Sequence, residues 1–181
     1  ANVVPVIGAF AGATLLPGET YTAAGAFTDP GADPWSATVD YGDGSGAQAL
    51  GLSGKTFSLS HAYLAPGSFT VTVHVSDDDA SAMRTATVTV LTAQQGLQNA
   101  NALIAQMKAA GRIGNGHANA LTSKLDNAIM QIDKGNTTPG LNMLGAFLNQ
   151  LDALEGAGNV TAADAAALRA LVERVMASLA T

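Results

Sequence analysis

The sequence has no cysteine, little charge and few aromatic rings, and each shortage excludes something. Without cysteine there are no disulfide staples, no thiolate-bound zinc and no thiol nucleophile. Charged residues make up 12% of the sequence, about half the usual quarter. Much of the surface must therefore be Ser, Thr, Asn, Gln, Gly and Ala, which suits an extracellular protein better than a nucleic-acid binder. The formal net charge is −6 and no basic run occurs, so phosphate backbones meet no electrostatic footprint. No apolar stretch approaches the ~20 residues that span a bilayer, so no membrane insertion is expected. The sequence opens Ala1-Asn2-Val3 without a signal peptide. The expectation is an exported fragment whose signal lies upstream, destined for the cell surface or the medium.

What is present falls into two halves. The 181 residues are 48% hydrophobic, enough for one large core or two small ones. Up to Leu91 the apolar residues alternate. Phe69, Val71, Val73 and Val75 share one face, and Ala86, Val88 and Val90 repeat the pattern. Weaker runs lie at 3–10, 21–27, 35–41 and 56–59, separated by Leu16-Pro17-Gly18, Asp29-Pro30-Gly31, Gly42-Asp43-Gly44 and Ala65-Pro66-Gly67. Six or seven short strands in about 90 residues predict a β-sandwich over residues 1–91. From Thr92 the period becomes helical. Stripes at Leu97–Met107, Leu121–Ile132, Leu141–Leu154 and Leu168–Leu179 predict an up-and-down four-helix bundle over residues 92–181. Thr138-Pro139 reads as the start of the third helix, and Thr161 with Asp164 as a capping box for the fourth. Charge divides at the same place: residues 1–91 hold Lys55 and Arg84 against eight carboxylates, whereas residues 92–181 carry six of each sign.

Val39-Asp40-Tyr41-Gly42-Asp43-Gly44, then Ser60-His61-Ala62-Tyr63, Pro66-Gly67-Ser68-Phe69-Thr70-Val71 and Val75-Ser76-Asp77-Asp78-Asp79 resemble, in order and spacing, the signature segments of PKD domains. These are immunoglobulin-like sandwiches. The sequence departs from the signature at Val39, where the family has Trp, at Tyr41, where it has Phe, and at Ala80, where it has Gly; Trp35 is positioned to supply the missing bulk. In the second half, Leu121-Thr122-Ser123-Lys124-Leu125-Asp126-Asn127-Ala128, Lys134-Gly135-Asn136 and Ala146-Phe147-Leu148-Asn149-Gln150-Leu151 look like the bacterial helical module called FIMAH. That resemblance implies a place near the C-terminus of a large exported protein and no chemistry of its own.

The acidic loops suggest hard-cation binding. Carboxylates, an amide and backbone carbonyls favour Ca2+, which takes six to eight oxygens. The PKD resemblance, through calcium-binding relatives in secreted bacterial proteases, implies Asn2, Asp29, Asp33, Asp77 and Asp79 as its ligands. Otherwise these aspartates are solvated turn formers. His61 reads as a structural hydrogen-bonding residue and His117 as a capping or surface one. Asp126 and Asp133 share a helix face near Lys124 and Lys134 without a histidine. The expected role is that of a non-catalytic extracellular structural or adhesive module with a protein or polysaccharide partner. The alternative is a carbohydrate-binding accessory of a secreted hydrolase, with Trp35 and Tyr21 as its platform. A third reading, a glycosidase, would need Asp40 and Asp43 as its paired carboxylates.

Overall fold

The computed structural model describes residues 3–30 and 34–180. The protein divides between Val90 and Leu91 into two compact units. Among its described residues the first holds nine strands: β1 (Val6–Ile7), β2 (Ala13–Leu15), β3 (Thr20–Thr28), β4 (Ser36–Asp40), β5 (Gln48–Ala49), β6 (Leu52–Ser53), β7 (Thr56–Ala62), β8 (Gly67–Ser76) and β9 (Ser81–Val90). They form two sheets, ordered β1-β3-β7-β6 and β2-β9-β8-β4-β5. The alternating runs become the long strands, and their inward residues are the core: Val71, Val73, Val75 and Val88 are fully buried. β2, β5 and β6 carry no alternation, being two or three residues long.

The first strand crosses between the sheets. β1 pairs antiparallel with β3 in one sheet, and β2 pairs parallel with β9 in the other, Ala13 opposite Val88 and Leu15 opposite Val90. Phe10, in the crossover, turns inward and meets Phe57 edge-on at 5.9 Å. The Tyr21 hydroxyl donates to the Ala11 carbonyl at 2.6 Å and pins the crossover to β3. Gly12 lies so close to β9 that a Cβ there would overlap the Thr87 carbonyl oxygen.

The second unit consists of α1 (Ala93–Ala109), α2 (Asn115–Asp133), α3 (Thr137–Gly156) and α4 (Ala162–Leu179). Each helix packs against its two neighbours in a closed square, α1 against α2 and α4, α3 against α2 and α4. Their apolar stripes fill the centre, with Leu97, Ala100, Met107, Leu121, Leu125, Phe147, Leu151 and Leu168 fully buried. Thr92 begins α1 with a complete capping box to Gln95.

Two helix starts differ from expectation. α3 begins at Thr137 rather than after Thr138, with Asn136 at the cap, its side chain turned to Gln131 and not to the first-turn amides. Pro139 is then the third helical residue, still within the first turn, where a missing N–H leaves no carbonyl unpaired. At α4 the Thr161 hydroxyl accepts from the Asp164 N–H at 3.2 Å. The Asp164 carboxylate, however, does not close the box; it is buried against the Arg112 guanidinium, which reaches it from the α1–α2 loop.

Candidate functional site

The antiparallel ladders place the acidic loops at one pole of the sandwich. Ser36 at the start of β4 lies opposite Ser76 at the end of β8, and Ser76 opposite Ser81 at the start of β9. The end of β3 arrives beside them from the other sheet. There Asp29 follows Thr28, and its buried carboxylate accepts a hydrogen bond from the Trp35 indole at 3.0 Å. Trp35 precedes β4, so this bond ties the sheets together. The indole packs edge-on against Phe27 at 5.7 Å. The Lys55 ammonium lies 4.7 Å over the indole and donates to the Asp29 carbonyl at 2.6 Å. Lys55 escapes sequence reasoning, although one signal is there to be read: it is one of two cations in the first half and it follows the Gly54 turn.

Asp77 closes the β8–β9 hairpin at the same pole. Its carboxylate accepts from the N–H groups of Asp79 and Ala80 at 2.9 and 2.6 Å, and its own N–H donates to the Ala80 carbonyl at 3.0 Å. This is an Asx turn, the ordinary reason for aspartate at such a corner. Asp77 is half-buried, and Asp78 and Asp79 are exposed. Asn2 and Asp33, the other expected cation ligands, lie outside the described residues. Among the described residues no three acidic or imidazole groups converge on one point.

The opposite pole holds the Gly-Asp-Gly turn. Asp40 accepts from the Gly42 N–H at 2.8 Å and Asp43 from the Ser45 N–H at 3.0 Å. Gly42 needs its positive φ of 74°, and a Cβ there would stand 2.6 Å from the Thr70 carbonyl oxygen on β8. The second Asp43 oxygen meets His61 Nε2 at 2.7 Å. The structural role expected of His61 is therefore to hold another side chain. Its ring stacks on Tyr41 at 4.2 Å and meets Tyr63 edge-on at 4.8 Å. Tyr63 stacks on Phe69 at 4.6 Å and donates its hydroxyl to the Tyr41 carbonyl at 2.8 Å. Burial, with a smaller push from the Asp43 charge, raises the Tyr63 phenol to about 12. Asp43, His61, Tyr63, Leu64 and Phe69 border a shallow cleft of 380 Å³.

This geometry bears on the catalytic reading. The bonds from Ser45, followed by His61, lower the Asp43 carboxyl to about 2, whereas a glycosidase acid needs its pKa raised. The same shift predicts a pH dependence. A carboxyl depressed from 3.8 to about 2 stabilises the fold fully above pH 3.8, and that contribution is lost as pH falls through about 2. An acid titration of thermal stability in wild type and Asp43→Asn should show a loss in this window that the variant lacks.

The expected sugar platform is not assembled. Tyr21 is 1% exposed and occupied with Ala11, so its ring faces the core. Trp35 is half-buried between Phe27 and Lys55. In the bundle, the polar residues pair along the surface: Asn101 with Asp126 at 2.8 Å, and Arg169 with Asp152 and Glu155 at 2.6 and 3.0 Å. His117 is half-buried in the first turn of α2. No helix among the described residues is long and apolar enough to cross a membrane.

Comparison with known proteins adds two family matches. The model of the PKD domain matches residues 2–92, and that of the FIMAH domain matches residues 97–177. Similar solved structures include the PKD domain of an M14-like peptidase from Thermoplasmatales archaeon SCGC AB-540-F20, at 25% identity over 50% of this protein and 98% of that one, with a TM-score of 0.39. The PKD domain of the human VPS10 domain-containing receptor SorCS2 is 21% identical over 48% of this protein and 70% of that one, with a TM-score of 0.31. The titin M3 domain is 18% identical over 48% and 95%, with a TM-score of 0.36. No curated protein matches the sequence.

Proposed function

Since the protein belongs to the PKD domain family through residues 2–92 and extends into a FIMAH domain over residues 97–177, we propose that it is an extracellular spacer and docking module of a larger exported protein, stiffened by calcium at the aspartate pole. Both domain types are non-catalytic modules, and PKD domains are typically extracellular. One observation carries the structural reading: the sandwich spends its reactive groups on holding itself. Asp40, Asp43 and Asp77 accept turn amides, Asp29 accepts the Trp35 indole, and His61 is paired with Asp43. A hydrolase would need some of these free.

The calcium part rests on placement. Topology brings Asp29 and Asp77 to one pole, and Asp33 follows Asp29 four residues later in the sequence. The Asp29 carboxylate is buried, so any cation there would be shielded from bulk solvent. Lys55 weighs against a strong site, because its charge sits on the Asp29 carbonyl. The test is the melting temperature in saturating calcium against chelator. Calcium at about 100 times its Kd adds about 2.7 kcal/mol to a fold that alone binds it, a rise of several degrees or more. The rise should vanish in both Asp29→Ala and Asp77→Ala. If wild type melts identically with and without calcium, the metal reading is overturned and the aspartates are turn formers only.

A further inference from the structure

We propose that Asn115 is a site of spontaneous self-modification, converting to aspartate and isoaspartate through attack by the backbone nitrogen of Gly116. Asn115-Gly116 is the single Asn-Gly pair in the sequence. Both residues are exposed, at the first two positions of α2. Three local features leave the reaction open. The attacking nitrogen is free of the helical ladder, whose first bond here runs from the Ala118 N–H to the Gly114 carbonyl at 2.9 Å. The cap residue is Gly114, which has no side chain to hold the first-turn amides, whereas Thr92 and Thr161 do so at α1 and α4. Gly116 has open space on its Cβ side and no side chain to crowd a closing ring.

The chemistry balances without any external oxidant or reductant. The Gly116 nitrogen bonds to Cγ of Asn115, the bond from Cγ to the amide Nδ2 breaks, and ammonia leaves with the proton that the Gly116 nitrogen loses. The product is a five-membered succinimide. Water then opens it at one carbonyl or the other. Opening one way gives aspartate; opening the other way gives isoaspartate, with an extra carbon in the backbone.

The two products act on α2 in opposite directions. No acidic residue stands in its first turn, so an aspartate there adds a negative charge where the helix favours one. Isoaspartate lengthens the backbone inside that turn and unravels it.

The experiment is to hold the intact protein at mildly alkaline pH and map its peptides by mass over time, with an isoaspartate-specific methyltransferase as a second readout. The expected result is conversion at Asn115 well ahead of every other asparagine, and its suppression in Gly116→Ala, a substitution with room to fold. If Asn115 stays intact while other asparagines convert, or if Gly116→Ala converts at the wild-type rate, the proposal is overturned. The effect on the helix is measured separately in Asn115→Asp, which should melt above wild type; a lower or equal midpoint overturns that consequence.

Discussion

Alanine at Gly12 is expected to destabilise the sandwich by about 2–3 kcal/mol, an overpacking cost met at a backbone that has little room to retreat. The added methyl would overlap the Thr87 carbonyl, so either β2 leaves β9 or the crossover from β1 is redrawn. Both routes disturb Phe10 and the Tyr21–Ala11 bond, which depend on the crossover lying where it does. For a unit of this size the loss corresponds to a fall of roughly 10–20 °C in the melting midpoint. Gly51→Ala is the control: a Cβ there meets nothing within 4 Å, and the change should stay within about 0.5 kcal/mol. Equal effects from the two variants would mean that the contact with Thr87 does not set the position of β2.

The bundle has its own point of greatest sensitivity. Phe147→Ala removes a ring with 0% exposure from the middle of α3, between Leu144 and Leu151. The expected cost is about 3–5 kcal/mol, combining lost transfer energy with the cavity left behind. It should appear as an earlier loss of helical circular dichroism. Two positions away, Gly145 lies in the same helix with open space around it. Gly145→Ala should therefore stabilise by about 0.5–1 kcal/mol through helix propensity and a less varied unfolded state. A stabilised Gly145→Ala beside a destabilised Phe147→Ala would confirm that α3 owes its stability to what its inner face buries.

Most of the fold is legible in the sequence because its strongest elements are periodic. β8 announces itself through Val71, Val73 and Val75, and α3 through Leu144, Phe147 and Leu151, since burial of one face imposes the period. β2, β5 and β6 are not legible. Each is too short to show a period; β5 and β6 are short partners of their neighbours β4 and β7, and β2 exists only because the distant β9 offers it backbone partners. The start of α3 lies ahead of where Thr138-Pro139 suggests, because proline is tolerated anywhere in a first turn and its position does not fix the cap.

At the candidate site, residue types are readable and partners are not. Asp43 and Asp77 read as turn aspartates from their neighbours in sequence, since the turn amides they hold are local, whereas the Asp43–His61 pair spans 18 residues and is not readable. Tyr21 reads as a surface ring although it is buried, because its partner, the Ala11 carbonyl, reaches it only through the strand crossover. The Asp29–Trp35 bond joins two sheets, and no pattern within either strand encodes it. Arg112 and Asp164 lie 52 residues apart, so their pairing becomes visible only once α4 is laid against α1.

The parallel pairing of β2 with β9 has a mechanical consequence. The backbone enters β2 at Ala13 and leaves β9 at Val90, so once the short β1 is drawn off β3, a pull on the segments flanking the sandwich drags these two strands in opposite directions along their own axes. The bonds between Ala13–Leu15 and Val88–Val90 are then strained together, in shear, and cannot be opened one after another like a zip. Rupture must break the whole patch at once, which sets a high barrier to forced unfolding, a process governed by the unfolding rate and not by equilibrium stability. A stalk built from such units would hold its length under drag until that short clamp gave way.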